Sequence, residues 1–289
     1  MNIAISGASG FIGTSVQYKL LKGNVEFQVL RRNDSDAKWR NILKEADVVI
    51  NLAGAPVIQR WTKKNRESIV ESRVNTTRRI VQILNDLPSD IHPGLLISAS
   101  AIGIYPDCGE EVHAEDSKQT GDTFLSEVVM LWEKEAIKLD QEKVRLVIPR
   151  IGVVLGKDGG LLKKTLPLFK FGLGGKIGSG KQTLSFIHID DLISALQFFV
   201  HNESTTGVYN LVAPNMTTNQ EFTRILGKLL RRATLFVVPA FVLKIIYGEA
   251  ARIMINGEKV VPERLLQEGF NFQYPRIEQA LKSVLSKND

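Results

Sequence analysis

Apolar positions in the first half of the chain alternate between short continuous runs and longer stretches with helical spacing. The short runs predict strands buried on both faces of a parallel sheet, at residues 2–6, 25–30, 47–52, 95–98 and 145–149. The longer stretches predict helices at residues 11–22, 65–87 and 124–137. Because strands and helices alternate, we predict an α/β fold with a Rossmann-like, doubly wound parallel sheet.

The pattern changes after Arg150. Glycine becomes dense between residues 156 and 180, and helical spacing dominates from Asp191 onward. We therefore predict a Rossmann domain at residues 1–150. Residues 151–289 are expected to supply elements that return to the first sheet, together with a smaller, mainly C-terminal region that caps the substrate. The sequence shows no clean linker between the two parts.

Three glycines follow the first predicted strand in the spacing G-x-x-G-x-x-G, at Gly7, Gly10 and Gly13. In a dinucleotide-binding loop the first allows a tight turn, the second admits a pyrophosphate, and the third lets the helix pack closely on the strand. Free N–H groups of the helix that begins near Phe11 would face the phosphates. The strand before and the helix after match the context that this fingerprint requires. The alternative is a glycine turn without a ligand.

The second predicted strand ends in the sequence VLRR, which places Arg31 and Arg32 at its carboxyl end. A site that prefers NAD has an Asp or Glu there for the ribose 2′-hydroxyl, whereas the first acid here is Asp34. Arginine forms charge-assisted, often bidentate bonds with phosphate oxygens, so the pair suits a 2′-phosphate. We predict NADP rather than NAD as the cofactor. The alternative is a pair of arginines that only face solvent.

Charge and composition exclude several classes of protein. The net charge is +6, but the basic residues form no run of five and no stripe with aromatic residues, so we expect no nucleic-acid partner. Cys108 is the single cysteine, and the four histidines lack ligand spacing, so we expect no metal site. The sequence has no signal peptide and no membrane-spanning run, which predicts a cytoplasmic protein with no membrane partner.

With these residues in place, the chain resembles the extended form of the short-chain dehydrogenase/reductase superfamily over nearly its whole length. It is most similar to an atypical branch labelled nucleoside-diphosphate-sugar epimerase or epimerase family protein. The specific motifs are GLGGKIGSGKQ, at residues 172–182, and GEAARIMINGEKVVPERLLQEGFNFQYP, at residues 248–275. The supporting motifs, in chain order, are GASGFIG, NLAG, SRVNTT, SASAIGIY, WEKEA, PRIGVVLGKDGG and FIHIDDL.

The resemblance implies which residues contact the cofactor. They are Gly7, Ser9, Gly10, Phe11, Ile12, Gly13, Arg31, Arg32, Leu52, Ala53, Gly54 and Arg73. It also implies a small-molecule substrate of the phosphorylated or nucleotide-sugar kind, which Lys176 and Lys181 suit as partners for an anion. Relatives often dimerise through two helices, so a homodimer is compatible with the chain, although no isolated apolar stripe identifies its surface.

The catalytic pair of the superfamily is missing. Its chemistry uses a Tyr-x-x-x-Lys on the helix after the strand that ends near Ser98, because the cation lowers the phenol pKa. Aligning Glu133 with the family's acid puts Leu125 and Val129 at those two positions. The remaining Tyr-x-x-x-Lys, at residues 18–22, lies in the first helix, behind the phosphate loop.

Two candidates for catalysis remain. Ser100 aligns with the family's catalytic serine, and its alternative role is to cap its own strand end. Tyr105, in the following loop, is a candidate proton donor whose alternative role is to flank the substrate. His113 and Glu115 are further acid/base candidates in the loop at 107–116, which is also compatible with an ordinary polar surface loop.

Two functions are therefore open. The first is an NADP-dependent reductase or epimerase that acts on a carbonyl or nucleotide-sugar substrate with a non-standard proton donor. The second is an NADP-binding scaffold or sensor whose catalysis has lapsed. The retained Ser100 and the glycine-rich 172–182 segment favour the enzyme, whereas Leu125 and Val129 favour the scaffold.

Overall fold

The computed structural model describes residues 1–20, 24–88 and 90–286. The strands are β1 (Asn2–Ser6), β2 (Glu26–Leu30), β3 (Val48–Asn51), β4 (Leu95–Ser98), β5 (Ser100–Ala101), β6 (Arg145–Ile151), β7 (Val153–Gly156), β8 (Gly175–Ile177), β9 (Thr183–Leu184), β10 (Phe186–His188), β11 (Gly207–Leu211), β12 (Thr217–Thr218) and β13 (Phe236–Val238). The helices are α1 (Phe11–Leu20), α2 (Asp36–Lys44), α3 (Lys63–Asn85), α4 (Phe124–Ala136), α5 (Gly160–Lys170), α6 (Ile189–His201), α7 (Asn219–Leu230), α8 (Ala240–Tyr247), α9 (Arg252–Ile255), α10 (Glu263–Gln267) and α11 (Ile277–Ser286). Short 3-10 helices lie at Ile102–Ile104 and Gly248–Ala251.

The main sheet has the strand order β2-β1-β3-β4-β6-β11, and β5 pairs with β6 beyond the end of β4. Its strand pairs are parallel. Ser6 lies opposite Asn51, and Asn51 lies opposite Ser98, so the carboxyl ends of the central strands meet at one edge. The chain passes from β1 to β2 on one side and to β3 on the other. That reversal beside β1 is where open α/β sheets bind ligands.

Helices cover both faces of the sheet because alternate strand residues point to opposite sides. Ile3 and Ile5 of β1 belong to an apolar cluster that also contains Val16 of α1 and Leu192 of α6. Ala4, between them, belongs to a second cluster with α2 and α3. The predicted doubly wound α/β sheet is confirmed.

Within residues 1–150, helix α2 is a helix that the sequence analysis misses. The Ser35 hydroxyl accepts a hydrogen bond from the Lys38 N–H and so caps it, and Trp39 and Leu43 are buried. Its nine residues are too short for a clear helical period. The structure describes α1 as far as Leu20, and the predicted end of this helix at Lys22 lies outside the described residues.

The second half of the chain contributes to both parts of the molecule. Strand β11 lies in the main sheet beside β6. Strands β7 and β10 pair with each other, and a separate apolar cluster joins them to α5, α7 and α11. The smaller C-terminal region therefore has its own core and adjoins the carboxyl edge of the main sheet.

Candidate cofactor and substrate site

The glycine loop after β1 is shaped by close backbone contacts. Gly7 has φ +71°, and a Cβ there would lie 2.5 Å from the Leu52 carbonyl oxygen. A Cβ at Gly13 would lie 2.3 Å from the Gly7 carbonyl oxygen, so α1 packs directly on the loop. At Gly10, which is exposed, a Cβ would meet only the Gly7 oxygen, at 3.3 Å. Packing thus explains the first and third glycines, and the open side of Gly10 fits the approach of a pyrophosphate.

The turn after β2 presents two cations. Arg31 and Arg32 are both exposed, and neither guanidinium has a hydrogen bond or salt bridge within the described parts of the chain. Their backbone is held from below: Trp39 Nε1 donates to the Arg31 carbonyl at 2.9 Å, and Arg79 Nη1 donates to the Arg32 carbonyl at 3.3 Å. The Arg79 guanidinium also lies 4.0 Å from the Trp39 ring centroid. The backbone of both cations is fixed while their side chains face outward.

A third arginine lies where β3 ends. The Arg73 guanidinium covers Gly54, where a Cβ would lie 2.9 Å from Arg73 Cζ. It donates to the Ile69 carbonyl at 3.1 Å and lies 5.3 Å from the Trp132 ring centroid. Burial lowers the pKa of Arg73 to about 10, so it stays charged at neutral pH. No acid of the described chain pairs with it, which leaves a partly buried cation beside the loop at 52–54.

A buried polar network supports the strand ends below these groups. Ser6 Oγ donates to Asn51 Oδ1 at 2.6 Å, and Asn51 Nδ2 donates to Ser98 Oγ at 3.3 Å and to Thr77 Oγ1 at 2.8 Å. Trp132 Nε1 donates to the same Thr77 oxygen at 2.8 Å. The network ties β1, β3 and β4 to helices α3 and α4, and so fixes the edge on which the loops stand.

Ser100 belongs to a charged cluster at the ends of β5 and β6. Its hydroxyl donates to Glu133 Oε1 at 2.5 Å. Arg150 donates to both Glu133 oxygens at 2.8 Å, and this ion pair is largely buried. Although burial by itself lowers the pKa of Arg150, its bonds to Glu133 raise it overall. Ser100 is therefore oriented by an ionised pair rather than by the Tyr and Lys of the superfamily.

Tyr105 is 1% exposed, and its hydroxyl is surrounded by partners. It donates toward Asn210 Oδ1 at 2.9 Å and the Ala114 carbonyl at 3.1 Å, and it accepts from Arg150 Nη1 at 2.8 Å. Burial raises the pKa of Tyr105 despite the nearby Arg150. His113 stacks on its ring, with centroids 5.2 Å apart. These contacts fit a tyrosine that holds loops together.

The remaining acid/base candidates have structural partners. His113 is buried and bonds Ser117 Oγ through Nδ1 at 3.1 Å. Glu115 accepts from the backbone N–H groups of Asn210 and Arg264, and burial raises its pKa. No cluster with the composition of a metal site is found in residues 1–20, 24–88 and 90–286.

The face of α4 where the superfamily places Tyr and Lys is apolar. Val129 is buried in a cluster with Tyr105 and with Val260 from the C-terminal region. Leu125 packs near Gly103, where a Cβ would lie 3.6 Å from Leu125 Cβ. Neither side chain can transfer a proton. A segment of the C-terminal region thus covers this part of α4.

That segment carries an acid which the sequence analysis does not single out, Glu258. Its carbonyl accepts from Ser185 Oγ at 2.7 Å, and the adjoining Gly257 N–H donates to the Asp107 carbonyl at 3.1 Å. Among the described residues, its carboxylate has no hydrogen-bond or ion-pair partner beyond its own backbone N–H. Burial, with a smaller effect from Asp107, raises the pKa of Glu258 to about 7.

The surroundings of Glu258 are polar and fixed. Arg252 forms a bidentate pair with Asp107, at 2.6 and 2.8 Å, and Asn256 donates to the same carboxylate at 3.1 Å. A cavity of about 400 Å³ opens beside Arg252 and Asn256, which is the size of a small-ligand site. Its other lining residues are Lys244, Gly248, Glu249 and Ile255. The only sequence signal for the Glu258 site is an acid two positions before Val260, an apolar residue that the fold buries.

The motif FIHIDDL has a structural role. His188 caps α6, because its Nδ1 accepts from the Asp190 N–H at 3.0 Å. The Asp191 carboxylate accepts from the backbone N–H groups of Gln273 and Tyr274, at 2.8 and 3.0 Å. It thereby fastens the C-terminal segment to α6.

The fold and the glycine loop define a dinucleotide-binding α/β protein of the Rossmann type. Residues 3–212 match the family model named NAD dependent epimerase/dehydratase family, and residues 238–284 match a domain of unknown function, DUF1731. The chain belongs to the NAD dependent epimerase/dehydratase family.

Individual relatives agree with this. The "Epimerase family protein SDR39U1 homolog, chloroplastic" of Arabidopsis thaliana is 36% identical over 303 residues, which cover 99% of this chain and 87% of that protein. The crystal structure of human epimerase family protein SDR39U1 (isoform 2) with NADPH has a TM-score of 0.93 at 30% identity, and covers 99% of this chain and 100% of that one. UDP-glucuronic acid 4-epimerase from Bacillus cereus has a TM-score of 0.78 at 17% identity, covering 98% and 97%, and shows the shared fold alone.

The comparisons confirm the predicted resemblance to the epimerase branch. The individual site residues and the division at residue 150 stay predictions. Cytoplasmic localisation also stays a prediction, since the Arabidopsis relative is named chloroplastic. Among the described residues, no helix combines the length and the apolarity needed to cross a bilayer.

Proposed function

We propose that the protein is an NADP-dependent reductase or epimerase that acts on a carbonyl or nucleotide-sugar substrate. One observation carries the proposal: the glycine loop, the two arginines and the Ser100 cluster all lie along one edge of the sheet. The human relative was solved with NADPH, which agrees with the predicted cofactor. The substrate class rests on family likeness and on the cavity beside Arg252.

Sheet order indicates how the cofactor would lie. Arg31 and Arg32 follow β2, the glycine loop follows β1, Gly54 lies beyond β3, and Ser100 lies beyond β4. The four groups therefore stand side by side in the order β2-β1-β3-β4. With the 2′-phosphate at the arginines and the pyrophosphate at the glycine loop, the nicotinamide half is directed toward Ser100.

The predicted cofactor contacts have distinct tasks in this arrangement. Ser9, Phe11 and Ile12 would present backbone N–H groups to the pyrophosphate at the start of α1. The Gly10 N–H donates to the Gly7 carbonyl at 3.0 Å, so Gly10 would instead leave room for the pyrophosphate. Leu52, Ala53 and Gly54 would line the floor at the end of β3. Arg73, a charged side chain without an acidic partner, would bind an anionic oxygen of the cofactor beside Gly54.

The chemistry falls to groups on the β4–β6 side. NADP, when bound, supplies or accepts the hydride. Ser100, oriented by Glu133, would donate a hydrogen bond to the substrate oxygen. Tyr105 is then a positioning residue, because its hydroxyl is already used by Arg150 and Asn210. Glu258 would move the proton: Val260, two residues further on, packs in a cluster with Val129 on the face of α4 where the superfamily has its Lys. A carboxyl with a pKa of about 7 is also suited to transfer in both directions near neutrality.

A second function is favoured by one specific observation. Leu125 and Val129 stand where the superfamily has its Tyr and Lys, so a cofactor-binding scaffold or sensor without turnover is the alternative. Both functions share the same cofactor site. They differ only in whether bound NADPH is oxidised by a substrate.

The first test is a titration with NADPH and with NADH, followed by nicotinamide fluorescence. The Arg31→Ala/Arg32→Ala variant should raise the Kd for NADPH about ten- to hundredfold, since charged hydrogen bonds contribute about 1.5–3 kcal/mol each, and should leave NADH nearly unchanged. Arg231→Ala/Arg232→Ala, a pair of exposed arginines in the C-terminal region, is the matched control. Absence of NADPH binding by the unaltered protein would refute both functions.

The second test separates the enzyme from the scaffold. A panel of sugar nucleotides and small carbonyl compounds is added to the NADPH complex, and absorbance at the nicotinamide band is followed. Turnover that Ser100→Ala and Glu258→Gln each reduce, without a change in NADPH affinity, supports the enzyme. For epimerisation, which returns the cofactor unchanged, the products are separated chromatographically. Binding without turnover across the panel supports the scaffold.

A further inference from the structure

Exposed apolar side chains are concentrated in two segments of the C-terminal region. Of the large hydrophobic residues that are exposed in the described chain, half lie at residues 168–173 and 235–246. Phe171 is 81% exposed, Leu235 87% and Ile245 68%. The complete set is Leu168, Phe171, Leu173, Leu235, Phe236, Val237, Phe241, Ile245 and Ile246, and we call it the apolar face.

The two segments adjoin each other in space. Strand β13 pairs in parallel with β8, which brings Phe236 beside Gly175. Arg232 Nε donates to the Lys170 carbonyl at 2.8 Å, which ties the end of α5 to the segment before β13. Helix α8 follows β13 directly, after Pro239. The two segments that carry the apolar residues are therefore neighbours in space, although 62 positions separate Arg232 from Lys170 in the chain.

The two segments that carry this face are basic. Residues 159–189 contain five lysines and no acid, and residues 222–248 contain five basic residues and no acid. The cations are Lys163, Lys164, Lys170, Lys176, Lys181, Arg224, Lys228, Arg231, Arg232 and Lys244. The rest of the chain has 27 basic and 31 acidic residues, so the whole basic excess of the protein lies in these two segments.

Neither property is explained by folding. Burying these side chains in the monomer's own core would be favourable, yet they are exposed. Exposed apolar patches of this kind mark interaction sites. The flanking cations are also largely exposed and mostly lack acids to pair with. Apolar side chains surrounded by lysine and arginine form the pattern of a surface that inserts shallowly into anionic lipid headgroups.

We propose that the apolar face binds the surface of anionic lipid bilayers, with Phe171, Leu235 and Phe241 inserting at the headgroup level. The surrounding cations attract the bilayer electrostatically. A second copy of the chain is a poorer partner for this face. A two-fold axis through it would bring the basic segments of one copy against the same basic segments of the other, and like charges repel.

The proposed contact lies at the bilayer surface and does not cross the bilayer, and it does not depend on the cofactor. It also departs from the expectation of no membrane partner, which rested on the lack of a membrane-spanning run. The sheet pairing of β8 with β13 brings together two basic segments that lie far apart in the sequence.

The test is co-sedimentation of the full chain with vesicles of phosphatidylcholine alone or of phosphatidylcholine with 30% phosphatidylglycerol, at low and high salt. We expect binding to the anionic vesicles that weakens at least tenfold in high salt. Leu235→Ser/Phe241→Ser and Arg231→Glu/Arg232→Glu should each weaken it at least tenfold. Met130→Ser/Leu131→Ser and Lys63→Glu/Lys64→Glu alter similar exposed residues elsewhere and should leave it unchanged.

Thermal unfolding of every variant shows that the chain still folds. Absence of binding to anionic vesicles overturns the proposal, as does binding that the face variants and the control variants weaken equally. Sedimentation of the lipid-free protein tests the other possible partner of the apolar face, a second copy of the chain. A dimer that Leu235→Ser/Phe241→Ser dissociates, together with no vesicle binding, would assign the face to a second copy instead.

Discussion

Glu258 makes the free energy of unfolding depend on pH, and a single substitution at this residue should remove its contribution to that dependence. Burial raises its pKa from 4.5 to about 7, so the folded state holds a proton that the unfolded chain releases above pH 4.5. The favourable neutral form is fully present below pH 4.5. Its contribution is lost as the pH rises through 7, where the half-buried carboxylate ionises.

The shift sets the size of the effect. A change of this size corresponds to about 3 kcal/mol at full strength, and the partial exposure of the side chain to water reduces it to about 1–2 kcal/mol. Glu258→Gln keeps the shape and removes the charge. The variant should therefore gain about 1–2 kcal/mol over the unaltered protein between pH 5 and pH 9, most of it between pH 5 and pH 7 and little above pH 8.

The assay is urea unfolding at five pH values, with the free energy of unfolding compared between the two proteins. Other buried carboxyls such as Asp191 and Glu115 are present in both, so their titration cancels in the difference. Glu110→Gln is the control, because the Lys259 ammonium lowers the pKa of Glu110 and no rise across neutrality is expected. A difference between Glu258→Gln and the unaltered protein that stays constant from pH 5 to pH 9 would refute the reasoning.

Two further substitutions test the site. Gly13→Ala puts a Cβ 2.3 Å from the Gly7 oxygen, and should cost about 1–3 kcal/mol of stability and abolish NADPH binding, whereas Gly94→Ala meets only an oxygen at 3.9 Å and should change neither. Arg150→Met leaves Glu133 buried and unpaired and should cost about 3–5 kcal/mol in urea unfolding. Arg150→Met/Glu133→Leu should recover part of that loss, and a double variant as unstable as the sum of its single variants would contradict the pairing.

Local sequence patterns were sufficient where neighbouring residues decide the structure. The bounds of β1 and β4 and the glycine loop follow from short apolar runs and from glycine spacing. Helix α2 was missed because its stability depends on burying Trp39 and Leu43 against other elements, which a nine-residue pattern does not reveal.

The functional groups that depend on tertiary contacts could not be predicted. Glu258 acquires its raised pKa only when the C-terminal segment lies against Asp107 and Ser185, far away in the sequence. Tyr105 is predicted either to donate a proton or to flank the substrate, and its sequence neighbours do not reveal that Arg150 and Asn210 reach its hydroxyl from β6 and β11. The apolar face was overlooked for the same reason, since exposure is a property of the folded chain.

Helix α3 fixes the distance between two arginines of the proposed cofactor site. It carries Arg73, beside Gly54, and Arg79, which holds the turn of Arg31 and Arg32, six residues and roughly 9 Å apart along its axis. Deleting one residue between them would turn Arg79 by about 100° relative to Arg73 and detach it from that turn. The proposed preference for NADP over NAD therefore depends partly on the spacing of residues along α3, although α3 carries neither Arg31 nor Arg32.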